Sequence, residues 1–364
     1  MTGSPISTPA SGQGDSLRYV DAGVDVDAAD ATVRRFADIA KRTRRPEVLS
    51  GVGPFAGMFR VPEGYSDPVL VASADGVGTK LLIAAALDRY DTIGADLVNH
   101  SVNDILTTGA QPLFFLDYLA TADLSQDRRV ELVRGIGDAC VAQNVALLGG
   151  ETADMPDVYR SGDFDLAAFI VGVVERDQAI DGARLAAGDV LVALPSGGLQ
   201  TNGYSLVREI WALGKGLGPD HDREALETHY EELGSTLGDA LLAVHPAFVA
   251  ELTPHLDAVH GIAHITGGGI PGNLARLFTG PAEHLGARID RASWETPAIF
   301  DLIQRTGGVE DGEMYRAFNM GAGMIVALAD ADATALIEAQ PEAWRIGEVV
   351  ERAEGDPLVA GLPD

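Results

Sequence analysis

The sequence predicts an α/β protein on three observations. Apolar runs typical of strands alternate along the chain with segments of helical spacing. A long, mostly apolar segment, residues 164–174, is followed by the polar segment Glu175-Arg176-Asp177 and a turn at Asp181-Gly182. The alternation then starts again with the apolar run 189–194. Two consecutive α/β units are therefore expected.

The order of elements follows from the same patterns. In the first unit we expect helices at 28–40, 81–87 and 93–106 and strands at 69–72, 113–118, 145–148 and 164–174. In the second unit we expect strands at 189–194, 259–265, 324–328 and 344–350, with helices at 204–213, 246–256, 331–339 and after Gly269. The polar, glycine-rich segment 215–238 is predicted to be a loop or a surface insertion.

The length of 364 residues corresponds to two domains at about 150 residues each. We expect a disordered tail at 1–16, which is rich in Ser, Gly, Pro and Thr, an N-terminal domain at 17–175 and a C-terminal domain at 176–364.

Charge and composition exclude several classes of function. The net charge of −28 argues against a nucleic-acid-binding surface. No apolar run reaches about 18 residues, so no membrane span is expected. The single cysteine, Cys140, lies in a segment of helical spacing and fits a reducing cytoplasm. In such an acidic chain, an anionic substrate needs local cations, backbone N–H groups or metal ions.

The run Asp75-Gly76-Val77-Gly78-Thr79-Lys80 follows a predicted strand and precedes a predicted helix. Gly76 and Gly78 allow a tight turn that brings backbone N–H groups close to a ligand. Glycines, a lysine and a helix start favour phosphate binding. A plain strand-to-helix turn is the alternative interpretation.

Three acids stand close to predicted turns or strand ends. Asp75 opens the glycine run, Asp104 lies in the helical segment 93–106, and Glu151 follows Gly149 and Gly150. Together these acids could hold magnesium that bridges nucleotide phosphates. Each acid taken alone is also explained as a cap or turn residue.

Two polar, glycine-containing segments in the second half could contact a ligand. Thr201, Asn202 and Gly203 lie between a strand and a helix, and Thr266, Gly267 and Gly268 follow His264. Either segment could also be an ordinary loop. The eight histidines show no metal-binding spacing; His264 precedes a glycine loop and could contact a ligand, but the favoured interpretation is a structural histidine.

Other catalytic classes lack their motifs. No Gly-x-Ser-x-Gly elbow is present, and no Gly-x-Gly-x-x-Gly fingerprint joins a strand to a helix. Phosphate chemistry is therefore the class that the residues favour, and there the protein mainly positions groups and stabilises charge.

Long motifs of the sequence closely resemble phosphoribosylformylglycinamidine cyclo-ligases, the AIR synthetase family. The matching stretches are residues 19–25, 43–48, 75–80, 102–104, 112–118, 149–153, 201–208, 264–269 and 313–316. The resemblance extends from about residue 17 to about residue 350.

The resemblance implies ATP-dependent ring closure of formylglycinamidine ribonucleotide to aminoimidazole ribonucleotide, with ADP and phosphate as the other products. It implies ATP and Mg²⁺ as cofactors, with Asp75, Asp104 and Glu151 as candidate metal ligands. The implied nucleotide-binding residues are Gly51, Gly53, Asp75, Gly76, Gly78, Lys80, Asp104, Gly149, Gly150 and Glu151. The substrate would contact Thr201, Asn202, Gly203, Thr266, Gly267 and Gly268. A homodimer is also implied, with N-terminal domains sharing a β-barrel core, a C-terminal α/β domain and ATP near the subunit interface.

The sequence departs from the family pattern at two places. Gln200 stands where members often carry a histidine, so no catalytic base is assigned there. Val244-His245-Pro246 stands where related chains tend to have Pro-Thr-Arg.

Families of the same architecture are less compatible with the sequence. Selenophosphate synthetase needs a reactive cysteine near its N-terminal glycine loop, and the hydrogenase-maturation relative carries a C-terminal cysteine. Thiamine-monophosphate kinase shares the acids but not the long motifs. A non-catalytic nucleotide-binding protein is the alternative from another class, and it would bind ATP without turnover.

Overall fold

The computed structural model describes residues 26–363. The tail expected at 1–16 and the matching stretch 19–25 lie outside the described residues. The helices are α1 (Val26–Arg42), α2 (Lys80–Leu87), α3 (Ile93–Leu106), α4 (Gln126–Ala142), α5 (Tyr204–Ile210), α6 (Pro219–Glu227), α7 (Leu237–Leu241), α8 (Val249–Leu252), α9 (Gly269–Leu274), α10 (Ala298–Gly307), α11 (Asp311–Ala317) and α12 (Asp330–Ala339).

The strands of the first half are β1 (Val48–Ser50), β2 (Met58–Phe59), β3 (Pro68–Gly76), β4 (Gln111–Thr121), β5 (Ala146–Asp154) and β6 (Phe164–Glu175). Those of the second half are β7 (Val190–Pro195), β8 (His229–Tyr230), β9 (Ser235–Thr236), β10 (Val259–His264), β11 (Leu285–Ile289), β12 (Ala322–Leu328), β13 (Trp344–Glu351) and β14 (Val359–Ala360).

A four-stranded sheet in the order β3-β6-β4-β5 organises the first half. One row of paired residues runs across it through Asp75, Ala168, Asp117 and Gly150. Since side chains alternate between the faces of a strand, this row shares one face of the sheet. Helices α3 and α4 pack against the sheet and bury an apolar core between them.

The opposite face of this sheet, which we call the open face, is largely uncovered by the described residues, although Phe59 of β2 packs against its Phe114 with ring centroids 5.2 Å apart. It carries Phe169, whose exposed fraction is 54%, together with Leu116, Tyr118 and Glu151. An exposed apolar sheet face of this kind is characteristic of an interaction surface.

A six-stranded sheet in the order β10-β12-β7-β13-β11-β14 organises the second half. Most pairings in both large sheets are antiparallel, and the parallel pairs are β4–β5 and β11–β14. The sheets are therefore mixed, although strands and helices alternate along the chain as the sequence predicted. The two sheets lie on either side of the predicted domain boundary at 175/176, which stays a prediction.

Some local expectations were wrong. Segment 215–238, expected to be a loop or a surface insertion, is not a plain loop, since it contains α6, the β8–β9 pair and the first residues of α7. Helix α6 places Leu226 in the core, so one apolar residue anchors an otherwise polar segment. Strand β11 and helices α10 and α11 were not anticipated. Among residues 26–363, no helix combines the length and apolar composition that crossing a membrane requires.

Candidate functional site at the junction of the two halves

Helix α3 presents a polar face to the second half of the chain. Asp96, His100 and Asp104 are spaced four residues apart, so they lie on one side of the helix. The amide of Asn103 donates to the carbonyl of Pro246 at 2.8 Å, and its Oδ1 accepts the N–H of Phe248 at 2.9 Å. These bonds hold the polar side of α3 against segment 245–248.

Asp75 and Asp104 both approach the same nitrogen of the His100 imidazole. Nε2 of His100 is 2.7 Å from Oδ2 of Asp75 and 3.8 Å from Oδ2 of Asp104. Burial alone would lower the pKa of His100, but the contact with Asp75 and the charges of Asp104 and Asp96 outweigh it, so this pKa is raised. Burial alone would raise the pKa values of both carboxyls, yet contacts with the imidazoles hold them below their usual range. Both carboxylates are therefore ionised at neutral pH.

His264 approaches the Asp104 carboxylate from the second half of the chain. It ends β10, and its Nδ1 lies 2.9 Å from Oδ1 of Asp104. Its Nε2 is 3.0 Å from Nε2 of His245. Burial lowers the pKa of both imidazoles, and for His245 the neighbouring histidines add to the effect. His264 is thus a neutral imidazole bound to an ionised carboxylate.

The glycine-containing segments of both halves meet beside these imidazoles and carboxylates. A Cβ at Gly78 would lie 3.9 Å from the carbonyl oxygen of Thr201, and one at Gly267 would lie 3.3 Å from Oδ1 of Asn202. The hydroxyl of Thr201 is 2.8 Å from Nδ1 of His100. Gly76 ends β3, while Gly203 and Gly268 take left-handed φ angles of 81° and 95° just before α5 and α9. The structure thus brings the predicted phosphate run close to the predicted substrate segments.

A cleft of about 410 Å³ opens at this junction. Asp104, His264 and Thr266 line it, and the guanidinium-bearing Arg276 adds a cation. Asp75 and Asp104 remain partly accessible, with side-chain exposures of 42% and 25%. An anionic ligand could therefore meet carboxylates, hydroxyls and an arginine in one place.

Lys80 does not face this cleft. Its side chain is fully buried, and its ammonium lies 2.7 Å from the Asp96 carboxylate and 2.7 Å from the Ala243 carbonyl. Burial lowers the pKa of Lys80 and raises that of Asp96, while their pairing opposes both changes. The expectation that Lys80 binds phosphate is corrected, since the buried pair leaves no open donor for a ligand.

Glu151 does not join Asp75 and Asp104 within the subunit. Asp75 is on β3 and Glu151 on β5, so three strand spacings separate them, about 14 Å. Glu151 pairs with Tyr118 on the open face, whereas Asp75 belongs to the row that faces the helices. The expected set of three metal-binding acids is therefore divided between two faces of the sheet.

The remaining predicted nucleotide-binding residues accompany Glu151. Gly51, Gly53, Gly149 and Gly150 line a cleft of about 1120 Å³ on the open face. Gly150 also has a packing reason to be glycine, since a Cβ there would lie 2.1 Å from Oδ1 of Asp117.

Sequence reasoning missed His100, His245 and Arg276. The spacing of His100 and Asp104 on one predicted helix was a usable signal, since residues four apart on a helix are neighbours. His245 and Arg276 carried no comparable local signal, because both reach the junction through tertiary folding. The spacing of the histidines along the sequence shows no metal pattern, but folding brings ligand atoms of His100, Asp104 and His264 within 4.8 Å of one another.

Comparisons with known proteins decide the family. The family model "AIR synthase related protein, N-terminal domain" matches residues 56–174, and its C-terminal counterpart matches residues 186–359. The phosphoribosylformylglycinamidine cyclo-ligase of Sorangium cellulosum is 47% identical over 343 residues, which cover 92% of this chain and 96% of that protein. The chain belongs to the AIR synthase family. The family resemblance and the ligase class predicted from the sequence are confirmed.

Solved structures agree on the fold of this AIR synthase family member. Thiamine-monophosphate kinase from Stenotrophomonas maltophilia is 19% identical, with a TM-score of 0.58, and the match covers 89% of this chain and 94% of that one. The hydrogenase maturation protein HypE in complex with ATP is 18% identical, with a TM-score of 0.59 and coverage of 91% and 89%. At these identities the likeness concerns the fold alone, and it confirms the predicted AIR-synthetase-like α/β class.

Proposed function

We propose that this enzyme converts formylglycinamidine ribonucleotide and ATP into aminoimidazole ribonucleotide, ADP and phosphate, as a cytoplasmic step of purine synthesis. The observation that carries the proposal is the 47% identity to a phosphoribosylformylglycinamidine cyclo-ligase across 92% of the chain. The ATP named with the related HypE structure supports ATP as the second substrate.

In the proposed reaction the γ-phosphoryl group passes from ATP to the formyl amide oxygen. The amidine-side nitrogen then attacks the same carbon, the C–O bond breaks, and phosphate leaves with the oxygen as the ring closes and a proton is lost. This chemistry demands close positioning of the reacting groups and stabilisation of phosphate charge.

The residues at the junction supply groups suited to that task. Thr266 and Arg276 line the cleft beside Asp104, so they can bind the phosphate or ribose of the ribonucleotide. Thr201 lies beside Gly78, in the turn where a nucleotide phosphate would be held by backbone N–H groups, and Asn202 lies beside Gly267.

Asp75 and Asp104 fit a divalent cation because both carboxylates are ionised, partly accessible and close to one imidazole. They would hold the Mg²⁺ of Mg–ATP, which neutralises charge on the phosphates during transfer. Lys80 is not among the proposed phosphate ligands because its ammonium is buried against Asp96, whereas the backbone at Gly76 and Gly78 is among them.

We also propose a homodimer formed through the open sheet face. Phe169 on that face is 54% exposed, and Leu49 and Met58 of the neighbouring β1–β2 pair, which line the same cleft, are 58% and 55% exposed. A second copy would cover them and complete a barrel-like core. The cleft with Gly51, Gly53, Gly149, Gly150 and Glu151 would then lie at the subunit interface, where ATP is expected.

The test is a reconstituted assay. Purified protein, formylglycinamidine ribonucleotide, ATP and Mg²⁺ should give aminoimidazole ribonucleotide and ADP in equal amounts. Asp75→Asn should raise the Mg²⁺ concentration needed for half-maximal rate by roughly tenfold or more while leaving the fold intact. Folded protein that forms no aminoimidazole ribonucleotide would refute the proposed function, and an unchanged Mg²⁺ dependence would remove Asp75 from the metal ligands.

A further inference from the structure

One continuous segment of the second half spans the cleft at the junction. His264 ends β10, Thr266 follows it, and Arg276 lies just beyond α9. All three line the cleft of about 410 Å³, a volume within the range of small-molecule sites. Helix α9 and a 3₁₀ turn lead from Gly269 to Arg276, a rise of about 10 Å. Arg276 therefore belongs to the opposite end of the segment from the contact between His264 and Asp104.

The side chain of Arg276 is unpaired. It is exposed, and within residues 26–363 its guanidinium forms neither an ion pair nor a hydrogen bond. Several other arginines of the same half pair with carboxylates, namely Arg288, Arg291, Arg305 and Arg345. Arg223 of α6 is exposed and unpaired as well, so its place in the cleft is what distinguishes Arg276.

The two aspartates that line the cleft already have partners. Asp181 accepts the N–H of Ala183 at 2.9 Å, and Asp104 binds the imidazole of His264 at 2.9 Å. Among the described residues that line the cleft, Arg276 is the one lysine or arginine. In a chain with a net charge of −28, an anionic ligand needs such a local cation. An anion that enters this cleft therefore meets its strongest attraction at Arg276.

Asn273 holds the segment that carries Arg276 in place. Its side chain is buried, and its amide donates to three backbone carbonyls at 3.2, 3.2 and 2.8 Å, those of Thr266, Gly267 and Gly269. Asn273 precedes Arg276 by about one helical turn, so these bonds also fix the backbone from which the arginine extends. A cation on a backbone fixed in this way loses less freedom when a ligand binds.

The guanidinium group suits a phosphomonoester. It is planar and permanently charged, and its parallel N–H donors match two oxygens of one phosphate. The ribonucleotide carries such a group on its ribose, whereas the phosphates of ATP are expected at the turn of Gly76 and Gly78. The 5′-phosphate is therefore the part of the ribonucleotide that Arg276 can recognise.

We propose that Arg276 binds the 5′-phosphate of the ribonucleotide and thereby selects a phosphorylated substrate over the corresponding nucleoside. The phosphate lies at the outer end of α9, the ribose extends toward Thr266, and the formyl amide reaches the end where His264 meets Asp104. This inference rests on the proposed function, because it takes formylglycinamidine ribonucleotide as the ligand.

The experiment measures binding by titration calorimetry without ATP, so it does not depend on turnover. The two ligands are formylglycinamidine ribonucleotide and the riboside that lacks the phosphate. We expect the wild type to bind the ribonucleotide about tenfold or more tightly than the riboside, since only the first can form charge-assisted hydrogen bonds with Arg276. Arg276→Gln should lose most of this ratio through weaker ribonucleotide binding, with riboside binding unchanged.

Further variants isolate the role of the guanidinium. Arg276→Lys keeps the charge without the parallel donors, so its ratio should lie between those of the wild type and Arg276→Gln. Arg223→Gln is the matched control and should keep the wild-type ratio, because Arg223 does not line the cleft. In the complete assay, Arg276→Gln should raise the KM for the ribonucleotide by about tenfold or more and leave the KM for ATP unchanged.

The outcomes separate this inference from the proposed function. A wild-type binding ratio in folded Arg276→Gln overturns the inference, as does a raised KM for ATP alone or equal binding of both ligands by the wild type. Loss of the ratio in Arg276→Gln, with a wild type that makes no aminoimidazole ribonucleotide, supports the phosphate contact and refutes the proposed reaction alone. A wild type that binds neither ligand overturns both.

Discussion

The ammonium of Lys80 lies 2.7 Å from the carboxylate of Asp96, and neither side chain is exposed to solvent. Asp96 also accepts the backbone N–H of His245 at 2.8 Å, and Lys80 donates to the carbonyl of Ala243 at 2.7 Å. A residue in the most ligand-like run of the sequence therefore has a structural role between the two halves.

Lys80→Met should destabilise the protein strongly. Removing one partner leaves the Asp96 charge buried and uncompensated, which costs about 3–5 kcal/mol of unfolding free energy. Chemical unfolding monitored by circular dichroism measures the loss. The double variant Lys80→Met/Asp96→Asn should recover part of it, since no unpaired charge remains. Normal stability in Lys80→Met together with a raised KM for ATP would instead restore Lys80 as a phosphate ligand.

Mixed dimers should show which subunit supplies Glu151. Asp75 and Glu151 lie on opposite faces of one sheet, so in the proposed homodimer we expect Glu151 to serve the site of the other copy. Asp75→Asn and Glu151→Gln homodimers should both be impaired. A heterodimer with one variant chain of each kind keeps one intact site and should regain about half of the wild-type activity, as two-fold symmetry requires.

The contrary result is equally clear. If both residues serve the same chain's site, each site of the heterodimer carries one defect and activity stays low. A heterodimer that pairs an Asp75→Asn chain with an Asp104→Asn chain is the control, because those two residues lie together within one subunit.

Asp117 should make stability depend on pH. Burial raises the pKa of Asp117 to about 7 from an ordinary value of 3.8. Between pH 3.8 and about pH 7 the folded chain keeps a proton on Asp117 that the unfolded chain has released. The free energy of unfolding therefore falls as the pH rises through this range, by up to about 4 kcal/mol. Asp117→Asn removes the ionisation, so its free energy of unfolding should increase relative to that of the wild type as the pH rises from 5 to 8.

Urea unfolding of wild type and variant at both pH values measures that difference. Asp177→Asn, at an exposed position, serves as the control and should show no comparable gain. A wild-type-minus-variant difference that stays constant from pH 5 to pH 8 would mean that Asp117 titrates normally.

Gly269 and Gly197 should differ in their tolerance of alanine. Both have left-handed φ angles, 60° and 64°, so both variants bear a backbone cost of about 1–2 kcal/mol. A Cβ at Gly269 would also lie 1.9 Å from the Tyr315 carbonyl, whereas one at Gly197 meets nothing within 4 Å. Gly269→Ala should therefore lose roughly 1–3 kcal/mol more. Equal unfolding midpoints for the two variants would show that the backbone at Tyr315 moves aside with no loss of unfolding free energy.

The sequence predicted the elements around the site better than their contacts. Periodicity placed β3, α2 and α3 within a few residues, because local spacing decides which residues are apolar on a strand or helix. The position of Lys80 in a glycine-containing run suggested a ligand, but its partner Asp96 is supplied by α3. His245 could not be linked to His264, because that contact exists only after the two halves pack together.

Glu151 illustrates the other limit. The sequence placed Glu151 beyond a strand at 145–148 and Asp75 beyond one at 69–72, but β5 continues to Asp154 and β3 to Gly76, so both acids lie within strands. Which face of the sheet each side chain occupies depends on strand register, which a single sequence does not reveal. Asp104 was placed on the correct helix, while its partners His100 and His264 became visible only through the fold.

Helix α3 contributes to the core of the first half, yet Asn103, Asp96 and Asp104 bind backbone and side-chain groups of the second. Melting of either half would strip those buried groups of their partners. The two halves should therefore melt as one cooperative unit, giving a single calorimetric endotherm whose van't Hoff enthalpy, computed for the subunit, equals the measured heat.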